Sequence, residues 1–66
     1  MNEQAKILKS LLEIGCHAYK CPRAIYVFRH DTRVEFSPEA FNYLSEEEKR
    51  RVTITSFVKI NGRTYD

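Results

Sequence analysis

The sequence lacks tryptophan, and it has only two glycines, two prolines, two cysteines and one methionine among its 66 residues. So little glycine and proline excludes collagen-like and low-complexity chains, and no glycine-rich phosphate-binding loop is present. No apolar run approaches the roughly 20 residues of a membrane-spanning helix. The opening segment "MNEQAKILKS" shows no basic region followed by an apolar run, as a secretory signal would. We therefore expect a cytoplasmic protein.

The residues that are present favour a folded domain. Hydrophobic residues make up 42% of the chain and charged residues 30%, a balance unlike that of disordered proteins. A chain of this length predicts a single domain, residues 1–66. Such a chain is near the lower size limit for domains that fold without metal, disulfides or a partner.

The charges are segregated along the chain, although the net charge is only +2. Segment 34–48 has five glutamates and no basic residue, whereas segment 49–66 has five basic residues and one aspartate. Segment 16–33 is basic as well, with four basic residues and one aspartate. A non-specific DNA-binding protein is usually more basic overall. Separate acidic and basic patches suit a protein partner with complementary patches equally well.

The first predicted element is a helix from Asn2 to Ile14. Apolar side chains recur there at three- and four-residue spacing, which is typical of an amphipathic helix. Gly15 follows where a residue with left-handed backbone would end the helix. Residues 16–23 are predicted to be a connection, because Pro22 pushes the preceding residue towards extended backbone.

A second helix is predicted over residues 38–51. Ser37 can serve as its N-cap, and Pro38 suits the first helical position. Ser45 and Glu48 have the spacing of a capping box, so two short helices meeting at Ser45 are the alternative. We favour a single element with a bend.

Segments rich in β-branched and aromatic residues predict the strands. The first two strands can be joined by a turn at Asp31-Thr32, and the last two by Asn61-Gly62, the stronger hairpin signal. The predicted order is α-β-β-α-β-β. This order indicates an α+β domain with an antiparallel or mixed sheet and two helices packed mainly on one face. The predicted strands are residues 24–30, 33–37, 52–60 and 63–66.

The segment "AIYVFRH" is apolar on both faces of its strand, unlike a strand with one solvated face. If both helices cover one face, against Ile25, Val27, Ile54 and Val58, the other face exposes Tyr26, Phe28, Phe57 and Lys59. If one helix lies on each side, both faces are core. We favour the first arrangement, because helices on one face of the sheet are the commoner α+β layout. The exposed aromatic face would then be a binding surface or a dimer interface. The predicted partner-binding residues are Tyr26, Phe28, Arg29, His30, Arg33, Phe57 and Lys59.

The stretch "CHAYKC" raises the question of a metal or redox site. A zinc site needs four ligands, and Cys16 and Cys21 lack a second pair at ligand spacing. No Cys-x-x-Cys motif is present, so we expect both cysteines to be reduced, buried packing residues under the end of the first helix. His17 and His30 could act as acid and base in a ribonuclease-like reaction, but no motif supports this.

The sequence therefore favours a non-catalytic protein that binds another protein, with no metal and no cofactor. Tyrosine and arginine are typical anchor residues of interfaces. A small single domain without a catalytic motif is also typical of an inhibitor or regulator encoded by a phage or another mobile element. A single-stranded nucleic-acid-binding module is the first alternative, since aromatic and basic residues share a predicted sheet face. A small ribonuclease-like toxin using His17 and His30 is the second. Both a monomer and a homodimer remain open.

Overall fold

The computed structural model describes residues 2–66 and begins with helix α1, Glu3–Glu13. The side chain of Asn2 caps this helix by accepting hydrogen bonds from the N–H groups of Gln4 and Ala5. Gly15 follows it with φ of 88°, in the left-handed region that favours glycine. The predicted first helix is thus confirmed, together with its stop signal.

A mixed four-stranded sheet lies at the centre of the fold. Its strands are β1 (His17–Lys20), β2 (Ile25–Arg29), β3 (Thr32–Phe36) and β4 (Val52–Ile54), in the spatial order β3-β2-β1-β4. The first three strands pair antiparallel, and β4 runs parallel to β1. The prediction that residues 16–23 only connect two elements was wrong. Half of that segment is β1, which pairs with a strand on each side.

The predicted single helix over 38–51 is also wrong. A 3₁₀ helix, Pro38–Tyr43, is followed by a separate short helix α2, Glu46–Arg50. Leu44 between them has extended backbone. Ser45 and Glu48 form the complete capping box of α2, and the carboxylate of Glu48 accepts the Ser45 N–H at 2.7 Å. Because that N–H is used by the cap, it does not continue the preceding helix.

The predicted strand 52–60 is divided as well, because the chain bends after β4. In the bend, the hydroxyl of Thr55 donates to the carbonyl of Phe57 at 2.9 Å. Strands β5 (Val58–Ile60) and β6 (Arg63–Tyr65) then form a hairpin that is not hydrogen-bonded to the main sheet. The Asn61-Gly62 turn is confirmed, with positive φ at both residues.

The main core lies between one face of the sheet and the layer made by α1 and the 3₁₀ helix. The Ser37 N–H donates to the side chain of Gln4 at 2.6 Å and ties the two helices together. The α+β class and the packing of helices on one sheet face are therefore as predicted. No helix within residues 2–66 is long and apolar enough to cross a bilayer. The buried core residues are Ala5, Leu8, Leu12, Ala18, Ile25, Val27, Phe36, Ala40, Leu44 and Val52.

Candidate interaction surface

The sheet face that points away from the helices is built from aromatic side chains. Neighbouring residues of a strand point to opposite faces. Ala18 and Val27 point into the core, so the residues directly before and after each of them point to this side. The register places Tyr19 opposite Tyr26 and His17 opposite Phe28 on the two central strands. We call this surface the aromatic face. It comprises His17, Tyr19, Tyr26, Phe28 and Arg33 from the sheet and Tyr65 from the hairpin.

The hairpin β5–β6 covers part of the aromatic face. The ring of Tyr65 lies 5.5 Å from the ring of Tyr26 and 5.5 Å from the ring of Phe28, measured between centroids. As a result Tyr26 is only 5% exposed, and Phe28 is half-buried. The prediction that Tyr26 is open to solvent is wrong. The strand pattern shows which residues share a face, but Tyr65, which covers Tyr26, lies 39 residues further along the chain.

The rings form a continuous chain across the sheet. Phe28 meets Tyr19 edge-on at 6.1 Å, and Tyr19 lies 4.5 Å from the imidazole of His17. Such tilted and edge-on contacts are the arrangements that aromatic pairs prefer. Tyr19, Phe28 and Tyr65 are half-buried, and His17 is exposed, so one edge of each of these side chains reaches solvent.

Polar groups lie at both sides of the aromatic face. The guanidinium of Arg33 lies 4.9 Å from the centre of the Tyr65 ring, and it also contacts the Glu35 carboxylate at 3.3 Å. At the other side, His17 Nε2 is 3.0 Å from the hydroxyl oxygen of Thr53 on β4. The face and its margins therefore combine apolar area with a guanidinium, a carboxylate, an imidazole and a hydroxyl group.

Burial shifts the pKa values of two ionisable groups beneath the hairpin, Tyr26 and Cys21. Loss of solvation raises the pKa of the Tyr26 phenol above its usual value, and the nearby Glu35 carboxylate adds to the effect. Burial likewise raises the pKa of the Cys21 thiol, with a further contribution from Asp66. Both groups are thus neutral at pH 7. Cys21 is 1% exposed and packs with Ala24 and Tyr26 beneath the hairpin.

The two cysteines lie on different sides of the sheet. Cys16 packs against the helix-side core, as predicted, but it is only half-buried. Cys21 is buried on the aromatic side, where its thiol faces the carbonyl of Tyr65 at 3.8 Å, so its predicted place under the first helix was wrong. Within residues 2–66, no group of three or more histidine, cysteine or acidic side chains is placed to hold a metal ion.

The structure brings together only some of the predicted partner-binding residues. Phe28 and Arg33 lie on the aromatic face, whereas Arg29 shares the helix-side face with Val27, and His30 forms the β2–β3 turn with φ of 54°. The placement of Phe57 and Lys59 on the open sheet face is wrong, because neither belongs to the four-stranded sheet. Phe57 is 56% exposed in the bend after β4, and Lys59 lies on the outer side of the hairpin, opposite to Val58 and Tyr65.

The predicted interaction surface did not include His17, Tyr19 or Tyr65, and His17 was considered only as a possible acid or base. The signal for the first two was present, since "HAYK" alternates in the same way as the neighbouring strand. It was hidden by the cysteines and Pro22, which suggested a loop. For Tyr65 no local signal exists, because its role depends on where the hairpin folds. No protein-family model, curated protein or solved structure matches the chain.

Proposed function

We propose that this chain is a small non-catalytic binding protein that attaches to a protein partner through the aromatic face. The observation that supports this most directly is the continuous row of half-buried rings, Tyr19, Phe28 and Tyr65, on the side of the sheet without helices. Rings held by their neighbours lose little conformational freedom on binding. This lowers the entropic cost of association, and tyrosine and arginine are both enriched among the residues that dominate binding energy at protein interfaces.

The charges beside the rings favour a protein over a nucleic acid. Arg33 is already paired with Glu35, and Arg23 is paired with Asp66 at 3.9 Å next to Tyr65. A surface that follows a phosphate backbone needs uncompensated positive charge, and each of these carboxylates would repel phosphates. A partner with its own mixed charges around an apolar centre fits this surface better.

A polar cleft next to the rings gives the surface relief. It has a volume of about 560 Å³ and is lined in part by Arg23, Tyr26, Glu35 and Asp66. A single protruding side chain of the partner could enter it and meet both a guanidinium and carboxylates. Concave sites of this kind, beside an aromatic patch, are where interface anchors are usually seated.

The first experiment is capture of the partner by the tagged chain from its native host, followed by titration with the purified partner. Tyr19→Ala should weaken binding about tenfold or more while the fold is retained, because a half-exposed ring at the centre of an interface is a typical anchor. Tyr43→Ala is the matched control, since Tyr43 is 51% exposed and belongs to the 3₁₀ helix on the opposite side. Equal affinities for the two variants would contradict the proposal.

Salt dependence separates the two classes of partner. A protein complex held by rings should lose less than about tenfold in affinity between 50 and 200 mM salt, whereas a nucleic-acid complex with 6–10 phosphate contacts loses roughly 10³–10⁵. If the captured partner is an RNA or a DNA with such a steep slope, the proposal of a protein partner is wrong.

A further inference from the structure

Strand β3 is an edge of the four-stranded sheet, and its outer side carries no other strand. Thr32, Arg33 and Glu35 are exposed along it. No turn, loop or cap hydrogen bond among residues 2–66 uses the backbone of Arg33 or Glu35. An unpaired edge of this kind is a template for another strand, unless the protein blocks it with charges, proline or a bulge.

The outward-pointing backbone groups of β3 can be identified from the hairpin. The two-residue turn His30-Asp31 makes the flanking pair Arg29 and Thr32 a hydrogen-bonded pair. Hydrogen-bonded and non-hydrogen-bonded pairs then alternate along the ladder. The backbone N–H and C=O groups of Arg33 and Glu35 therefore point away from β2, and those of Val34 point towards it.

We propose that the free edge of β3 is a self-association site, where a second copy of this chain adds its own β3 antiparallel and in register about Val34. In this register Arg33 lies opposite Glu35 of the second copy, and Glu35 lies opposite Arg33 of the second copy. Both pairs join outward-pointing backbone groups, so each pair can exchange both of its hydrogen bonds. The two four-stranded sheets are then joined through their β3 strands into one eight-stranded sheet, with both aromatic faces on the same side.

The charges select this register over its neighbours. An antiparallel pairing that joins outward-pointing groups can be centred on Arg33, on Val34 or on Glu35. The first places two arginines opposite each other and the last places two glutamates opposite each other, and like charges in directly opposed positions are destabilising. Only the register about Val34 is complementary at both positions.

The helix side of the edge supplies apolar contact for the same arrangement. A groove of about 340 Å³ is lined by residues of α1, β2, β3 and the turn between the two strands: Leu11, Val27, Arg29, His30, Thr32 and Val34. Val34 is half-buried in it. Pairing about Val34 places this side chain next to Val34 of the second copy and brings the two grooves together, so that apolar area is buried from both sides.

The charge pattern allows a direct test by sedimentation of the full chain at concentrations up to about 1 mM, where even weak association is measurable. The wild-type chain should form dimers. Arg33→Glu and Glu35→Arg each place like charges opposite each other and should weaken self-association about tenfold or more. A mixture of the two single variants should form a heterodimer, and the double variant R33E/E35R should self-associate again.

A second measurement uses the wild-type chain, so its result does not depend on whether the substitutions affect folding. In the wild-type chain, amide exchange at Arg33 and Glu35 should slow as the protein concentration rises, whereas exchange at Val34, already in the ladder, should not change. Tyr19→Ala should leave the dimer intact. The proposal is overturned if the wild-type chain stays monomeric over this range, if the mixture behaves like the separate variants, or if Tyr19→Ala abolishes the dimer.

Discussion

The attachment of the β5–β6 hairpin to the sheet should depend on Tyr65, and Tyr65→Ala tests this. The Tyr65 ring makes two aromatic contacts, with Tyr26 and Phe28, and one cation–π contact with Arg33. Each aromatic pair contributes about 0.5–1.5 kcal/mol beyond burial, and an exposed cation–π contact about 0.5–1 kcal/mol. We therefore expect the free energy of unfolding to fall by roughly 2–4 kcal/mol.

Such a loss is large for this chain, since a domain of its length has a total stability of about 3–10 kcal/mol. Urea unfolding followed by circular dichroism would measure it, with Tyr43→Ala as the control. Tyr43 is half-exposed, so its substitution should change the free energy of unfolding by no more than about 0.5 kcal/mol. Tyr65→Phe should be nearly neutral, because the phenol oxygen makes no hydrogen bond within residues 2–66.

Two results would refute this reasoning. If Tyr65→Ala and Tyr43→Ala have the same stability, the hairpin is not held by the ring contacts. If Tyr65→Phe is destabilised as strongly as Tyr65→Ala, the hydroxyl group and not the ring stack carries the interaction. The slope of the free energy of unfolding against urea concentration follows the surface exposed on unfolding. A smaller slope in Tyr65→Ala alone would show instead that the hairpin has detached while the sheet remains.

Two further predictions concern pH and the turn. Because burial raises the pKa of Tyr26 in the folded state, the unfolded chain ionises first, and the stability present below about pH 10 is lost as pH rises through the folded pKa. Tyr26→Phe should thus match the wild type at pH 7 and exceed it at higher pH in urea unfolding; parallel pH profiles would contradict this. His30→Gly should raise the free energy of unfolding by roughly 0.5–1 kcal/mol, since His30 has φ of 54°, whereas His17→Gly within β1 should lower it. A loss of stability in His30→Gly would show that the histidine side chain outweighs the backbone effect.

The elements that were predicted correctly are those whose signals are local. Helix α1 follows from apolar spacing within its own residues and from Gly15 at its end. The strands β2 and β3 follow from a run of β-branched and aromatic residues. The Asn61-Gly62 turn follows from the backbone angles that these two residues tolerate.

The errors arose where two local signals competed or where a break depended on a side-chain bond. Pro22 and the cysteines hid β1, although its alternation was present. Ser45 carried a correct capping signal, but a single bent helix was favoured over two short helices meeting at that residue. The bend after β4 carries neither glycine nor proline, and the bond from Thr55 to Phe57 that shapes it shows only in three dimensions.

The amino-acid sequence alone thus determined which side chains within β2 and within β3 share a sheet face, because side chains alternate along a strand whatever surrounds it. It also determined the charges at the β3 edge. Only the tertiary structure decided that Tyr26 is buried while Tyr19 and Phe28 reach solvent. The physical reason is that burial depends on which distant segment packs over a face, and the Tyr65 ring that covers Tyr26 arrives from the other end of the chain.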